Sequence, residues 1–143
     1  MRLDTILRVA AKLFIPFIFV FALYVQLHGD FGPGGGFQAG VIAAAAIMLY
    51  GLIFGLPSAR RLVPEPVVET MVGLGVLIYA GVGVAGLVLG GNYLDYFVLH
   101  RDPVAGQLRG IFWVEIGVAV TVNGVMLKIF YMFAGRQRRD APR

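Results

Sequence analysis

Four long stretches of the chain are almost continuously apolar. They cover about residues 6–27, 37–56, 67–89 and 110–133 of the 143. Each is long enough to cross a bilayer as a helix, which takes roughly 20 apolar residues. None shows the polar–apolar alternation of a barrel strand, and lipid forces backbone groups to pair within each segment. The pattern predicts an all-α integral membrane bundle of four transmembrane helices, forming one domain over residues 1–143.

The composition narrows the function classes. Hydrophobic residues make up 59% of the chain, charged residues only 14%, and the mean hydropathy is +0.82. There is no cysteine and there are only two histidines, so a thiolate nucleophile, a disulfide framework and a His-rich metal centre are not expected. The net charge is +4. The basic residues that produce it are not interleaved with exposed aromatic residues, which argues against nucleic-acid binding. We expect no enzyme activity, no cofactor and no metal. We expect membrane lipid to surround the chain.

Basic residues are distributed unevenly between the two sides of this topology. Ten of the twelve fall in the N-terminal flank, the second loop, the end of the fourth span and the C-terminal tail. The opposite side has only Arg101 and Arg109. Cytoplasmic segments of membrane proteins carry the excess of Lys and Arg. The sequence therefore predicts that both termini and the second loop are cytoplasmic.

Small residues are frequent in the second and third spans. Gly86 and Gly90 stand four residues apart in the third, and Ala39 and Ala43 do so in the second. Small residues let helix backbones approach closely in lipid. Two interpretations remain open: internal packing of the four helices, or a subunit inserted among other membrane subunits.

The stretch LHGDFGPGGGFQAG, residues 27–40, separates the first two spans. Gly tolerates positive φ and Pro fixes φ, so Pro33–Gly36 predicts a sharp reversal that makes the first two helices adjacent and antiparallel. The reversal precedes a helix start, where free N–H groups favour an anion. A carboxylate of a neighbour or a lipid headgroup would fit there. The alternative is a bare tight turn. We assign a structural role in assembly to five loop residues: Pro33, Gly34, Gly35, Gly36 and Phe37.

Glu115 is the most informative polar residue, because an acid inside a span is costly and marks a functional-site hypothesis. It is either a structural hydrogen-bonding group or a proton or cation carrier. On a helical wheel, Ala119 shares its face and Asn123 lies at the edge, while Gly117 and Thr121 point the opposite way. Lys128 is expected either to reach the headgroups or to lie on an ion path. The ion-path candidates are Glu115, Asn123, Thr121, Lys128, His28 and Asp30.

The segment HGDFGPGGGFQAG resembles the MnhB-type (MrpB-type) subunit of Mrp multisubunit Na+/H+ antiporters. That family carries a G-[HD]-x-x-PGGGF signature after its first helix, and seven residues match it: Gly29, Asp30, Pro33, Gly34, Gly35, Gly36 and Phe37. The resemblance extends over the whole chain, through four spans, a Gly-rich third helix and an acid early in the fourth. It implies a small subunit in a prokaryotic cell membrane, with the other subunits of a Mrp-type complex as partners. Such a subunit supports assembly and lines part of the cation route.

Three other functions are compatible with the pattern. One is a subunit of a related membrane-bound hydrogenase-type complex. Another is a self-sufficient homodimeric cation/proton exchanger that uses Glu115, although such exchangers usually place their acid in the first helix, where this chain has none in its apolar part. The third is a pure scaffold without ion contact. The sequence does not identify the exchanged cation.

Overall fold

The computed structural model describes residues 2–29 and 32–136. The described residues form five α-helices and one 3-10 helix, and four of the α-helices are long and apolar enough to cross a membrane. The all-α fold with four transmembrane helices is therefore confirmed. The elements are α1 (Arg2–His28), α2 (Gly36–Phe54), α3 (Leu56–Leu62), α4 (Glu65–Val88), the 3-10 helix (Tyr96–Leu99) and α5 (Pro103–Arg136).

The four long helices pack side by side in the order α1, α2, α5, α4. Helix α5 lies between α2 and α4, and α1 packs mainly against α2. Gly36 lies against Glu115 and Gly51 against Phe130, so α2 and α5 run parallel, whereas α1 and α4 run antiparallel to their neighbours. A chain that crosses the membrane four times requires this alternation. We call the end with residues 28–36 the loop end and the opposite one, with Leu56–Leu62, the α3 end.

The seam between α4 and α5 is formed by glycines and a threonine. A β-carbon at Gly75 would collide with the Thr121 hydroxyl, and one at Gly117 would lie 2.8 Å from the Gly75 carbonyl oxygen. Close approach of this kind supplies dispersion contacts where lipid gives no hydrophobic driving force between helices. This seam shows internal packing of small residues, one of the two interpretations, whereas Gly86 of the pair singled out in the sequence faces the loop residues Asn92 and Asp95. Gly73 and Gly81 have open space beside them instead.

The buried side-chain core lies near the α3 end. Ala44 and Ile47 of α2, Val68 of α4, and Leu127 and Tyr131 of α5 meet there. The Tyr131 hydroxyl lies 3.1 Å from the Ala59 carbonyl oxygen and 3.0 Å from that of Val63. A single hydroxyl thus ties the middle and the C-terminal end of the short helix α3 to α5.

Two helical segments lie outside the predicted spans. Gly55, with φ of 89°, ends α2 and starts α3. Helix α5 begins at Pro103, seven residues before the predicted start at 110, and Asp102 Oδ1 accepts a hydrogen bond from the Val104 N–H at 3.1 Å. The added turns pack against the 3-10 helix, where burial raises the pKa of the Tyr96 hydroxyl.

Candidate functional site

The carboxylate of Glu115 lies against the loop that joins α1 to α2. Its Oε1 is 3.0 Å from where a β-carbon on Gly35 would stand, and its Oε2 is 3.2 Å from the same position on Gly29. The two glycines also touch each other across the reversal, because a β-carbon at Gly29 would lie 2.9 Å from the Gly35 backbone nitrogen. The fourth long helix therefore inserts its acid beside the glycines of the first connection.

Two of the glycines are required for this arrangement for different reasons. Gly35 has φ of 118°, a conformation that side-chain-bearing residues rarely adopt, and its N–H donates to the Val25 carbonyl oxygen at 3.2 Å. Gly36 begins α2, and a β-carbon there would collide with the Glu115 carbonyl oxygen. The first glycine makes the reversal and the second lets α5 pass directly beside it.

The position of Glu115 suits its charge. Gly35 is the N-terminal capping position of α2 and offers no side-chain cap. The first N–H groups of a helix lack intrahelical partners, and the positive end of the helix dipole favours a nearby anion. The sequence indicated that a carboxylate would fit at this helix start, and the carboxylate that lies there comes from the same chain.

The other loop residues divide into packed and exposed ones. A β-carbon at Gly34 would lie 2.7 Å from the Val25 carbonyl oxygen, so Gly34 also belongs to the tight reversal. Pro33 and Phe37 are exposed, Phe37 by 61%. The His28 ring stacks on Tyr24, with 5.0 Å between centroids, and lies beside Gly32 of the loop. Asp30 lies outside the described residues.

Two of the ion-path candidates on α5 lie away from Glu115. Thr121 belongs to the α4–α5 seam beside Gly75. Lys128 lies near the α3 end, where its Nζ pairs with Glu69 Oε1 at 3.3 Å and its side chain is 50% exposed. The structure therefore brings Glu115 and His28 to the loop, but Thr121 and Lys128 to other contacts.

Asn123 lies on the same side of α5 as Glu115 and lines a groove of about 220 Å³. The groove runs over the α2–α5 seam, with α1 as one wall and Met71 of α4 at the other. Its second polar residue is Gln26 of α1, which the sequence interpretation had not singled out. The sequence signal for Gln26 was that it is a polar residue inside the first apolar stretch. Its position two residues before the end of α1 made it look like an ordinary interfacial residue.

No group of three or more His, Asp or Glu side chains comes together in residues 2–29 and 32–136. The polar elements of the candidate site are one carboxylate, the His28 imidazole, the backbone of a glycine loop and two carboxamides. Such groups can orient a helix start, accept a proton or hydrogen-bond a neighbour. The fold that carries these groups is that of a multi-pass helical membrane protein.

Comparison with known proteins agrees with this class and narrows it. Residues 6–128 match the family described as "Domain related to MnhB subunit of Na+/H+ antiporter". The chain is 31% identical over 129 residues to the B-type subunit of the Na(+)/H(+) antiporter of Alkalihalophilus pseudofirmus, with 83% of this chain and 89% of that protein covered. The protein of the same name from Bacillus subtilis is also 31% identical, with 83% and 90% covered.

A third relative is the "Putative antiporter subunit mnhB2" of Staphylococcus haemolyticus. It is 28% identical over 135 residues, which is 92% of this chain and 95% of the relative. The family match covers most of the chain, including all of α2 and α4 and the Glu115 contact. This chain belongs to the MnhB family. The resemblance carried by the PGGGF loop is confirmed.

Proposed function

We propose that this chain is the small B-type membrane subunit of a multisubunit Na+/H+ antiporter in a prokaryotic cell membrane. The observation that carries the proposal is the family match over residues 6–128, together with two relatives named as B-type antiporter subunits that align over nearly their full length. The four long helices supply the membrane part. The role is one of transport and assembly rather than enzymatic catalysis, and the partners are the other subunits of a Mrp-type complex.

Co-purification tests this function directly. A tagged chain, extracted from its native membrane in mild detergent, is expected to bring large antiporter-type subunits with it. Deleting the chain is expected to abolish Na+-dependent proton flux in everted vesicles, and restoring it is expected to recover the flux. Purification with hydrogenase-type subunits would favour the related complex instead. Na+/H+ exchange by the purified chain alone in liposomes would favour a self-sufficient exchanger.

Within this function we assign Glu115 first to assembly. Its carboxylate lies at the start of α2, within contact distance of Gly29 and Gly35, so it joins α5 to the α1–α2 connection. The cost of placing an acid within a membrane span supports a second role, as a proton or cation acceptor. An assembly role needs the shape and hydrogen bonding of the side chain, whereas an ion role needs its charge or its proton.

Two substitutions separate these roles. Glu115→Gln keeps the shape and removes titration, and Glu115→Asp keeps titration but shortens the side chain by one methylene. We expect Gln to assemble normally and to lower exchange or shift its pH optimum, with Asp retaining more activity. The measurement is cation-dependent proton flux across pH, with the amount of each subunit checked by blot. Wild-type flux and pH profile in the Gln variant would leave Glu115 with the assembly role alone.

We further propose that both termini and α3 face the cytoplasm. The support is the excess of basic residues at the ends of α1 and α5 and in α3, against only Arg101 and Arg109 near the loop end. The chain has no cysteine, so a single introduced cysteine is its only thiol and any labelling of the chain comes from that position. In whole cells an impermeant thiol reagent is expected to label Asp30→Cys but not Ser58→Cys. The reverse pattern would invert the proposed topology.

A further inference from the structure

An open groove with basic residues lies at the α3 end, between α3 and the last turns of α5. Its volume is about 670 Å³, and sites for small molecules are usually clefts of roughly 300–1,000 Å³. Each of the two helices contributes an arginine to the lining, Arg60 from α3 and Arg136 from α5, and no acidic side chain of the described residues lines it. This arginine groove therefore favours an anion.

The two arginines lie close together. A β-carbon at Gly135 would lie 3.1 Å from Arg60 Nη2, so Arg60 packs directly against the residue that precedes Arg136. Arg60 Nη2 also pairs with Glu65 Oε1, but those side chains are 41% and 56% exposed, and exposed pairs are weak. Because a guanidinium group has five N–H donors, Arg60 can keep this pair and still donate to another anion. Arg136 has no ion-pair partner in residues 2–29 and 32–136.

An apolar wall continues from the arginines along α5. Met132 and Phe133 lie one turn before Arg136 and Ile129 lies two turns before it, on the same face of the helix. All three are large and exposed, unlike the small residues that let helices approach closely at the α4–α5 seam. Flexible apolar side chains of this size suit an acyl chain. A cationic end beside an apolar wall matches the headgroup and tail of a phospholipid.

We propose that the arginine groove binds an anionic phospholipid, with its phosphate between Arg60 and Arg136 and an acyl chain along Met132 and Ile129. Guanidinium groups donate to two phosphate oxygens at once. Basic pockets between transmembrane helices bind anionic headgroups on the cytoplasmic side, to which the proposed topology assigns this end. The inference goes beyond the antiporter role and does not depend on it.

Tryptophan fluorescence tests the proposal in the full chain. The only tryptophan is Trp113, near the loop end, so Trp113→Phe combined with Phe133→Trp moves the reporter to the groove. The vesicles contain phosphatidylcholine with about one-fifth phosphatidylglycerol, and one of the two lipids carries bromine on its acyl chains as a quencher. Free phosphate carries no bromine and gives no signal. A basic residue near an anionic headgroup attracts it about fivefold, so we expect phosphatidylglycerol to be enriched at least about fivefold at the groove. The wild-type chain, which reports from Trp113, is expected to show less than about twofold enrichment.

Three substitutions in the reporter chain separate a site from general attraction to the membrane surface. Arg136→Gln and Arg60→Gln are each expected to lower the enrichment about fivefold. Arg61→Gln is the matched control, because it removes the same charge from the next residue of α3, which does not line the groove. It is expected to leave the enrichment within about twofold. Arg136→Gln is the decisive variant, since it removes no ion pair within the described part of the chain.

Equal enrichment at Trp113 and at the groove would overturn the proposal, and so would an equal loss in Arg61→Gln and Arg136→Gln. A photo-crosslinking residue at Met132 applies the same test in the intact complex. Phospholipid adducts that diminish in the Arg136→Gln background support the proposal. Adducts with another subunit or with a second copy of this chain would overturn it and leave the antiporter role intact.

Discussion

The two ends of the α2–α5 pair are held together by different means. At the α3 end, side chains interlock: Leu127 and Tyr131 of α5 are buried against α2, α3 and α4, and two ion pairs lie nearby. Arg60 Nη2 lies 2.9 Å from Glu65 Oε1. At the loop end, the backbone of α5 runs directly along glycines, and the acid of α5 lies against the loop itself. One end is a side-chain core and the other is a backbone contact.

This difference predicts different tolerance to substitution. A side-chain core adapts to a changed side chain by repacking, and loses roughly the free energy of the groups removed. A backbone contact has no flexible atoms that can move away, so a single added methyl group displaces a whole helix. The loop end is therefore the more sensitive of the two, although it buries fewer large side chains.

The largest expected effect is that of Gly36→Val. The new β-carbon would collide with the Glu115 carbonyl oxygen, and relief requires α5 to move away from α2. We expect a destabilisation of more than ~3 kcal/mol and loss of the chain from its complex. Membrane blots and co-purification measure this. Gly35→Val is expected to act in the same direction, because its φ of 118° disfavours any residue with a β-carbon.

The matched control for this substitution is Gly73→Val in α4. Gly73 is also a helical glycine, but nothing lies within 4 Å of the β-carbon it would gain. The chain is expected to remain at wild-type level in the membrane. If Gly36→Val assembles as well as Gly73→Val does, the loop end is not the rigid contact described above.

The sequence predicted the four long helices well because spanning lipid imposes one requirement, length in apolar residues. It missed α3 and the first turns of α5, since LPSARRL and PVAGQLR carry polar residues and hydropathy does not register helices of that kind. The first turns of α5 follow Asp102, whose side chain accepts a hydrogen bond from the Val104 N–H and so caps the helix. A short local signal of this sort is easily overlooked beside a long apolar stretch.

The candidate site was predictable in its parts but not in its assembly. Glu115 and the glycine loop were each singled out from local chemistry, yet they are separated by about 80 residues of chain. Which helix lies beside the loop depends on the side-by-side order of α1, α2, α5 and α4, and periodicity within one helix does not encode that order. The same reason explains why Gln26 was missed, since its place in a groove shared with Ala39 and Asn123 depends on how α1 packs against α2 and α5.

A smaller effect is expected at the α3 end from Tyr131→Phe. The ring stays and keeps the core filled, but the hydroxyl that lies 3.1 Å from the Ala59 carbonyl oxygen and 3.0 Å from that of Val63 is lost. The Ala59 carbonyl oxygen still accepts from the Val63 N–H, so the expected cost is that of an ordinary hydrogen bond, about 0.5–1.5 kcal/mol. Thermal inactivation of the detergent-extracted complex is the measurement, with Tyr24→Phe, at a ring 55% exposed, as the control. Equal stability of the two variants would mean that α3 is held by packing alone.

The smallest effect is expected from the ion pair between Lys128 and Glu69. The two groups are 3.3 Å apart, but their side chains are 50% and 64% exposed, so solvent screens the attraction. Exposed pairs of this kind contribute about 0.2–1 kcal/mol. A double-mutant cycle with Lys128→Ala and Glu69→Ala is expected to give a coupling in the lower half of that range, and Na+-dependent proton flux is expected to stay within about twofold of wild type. A large loss of flux on Lys128→Ala, with assembly unchanged, would return this lysine to the ion route. The α3 end would then carry function as well as packing, and the contrast with the loop end would no longer hold.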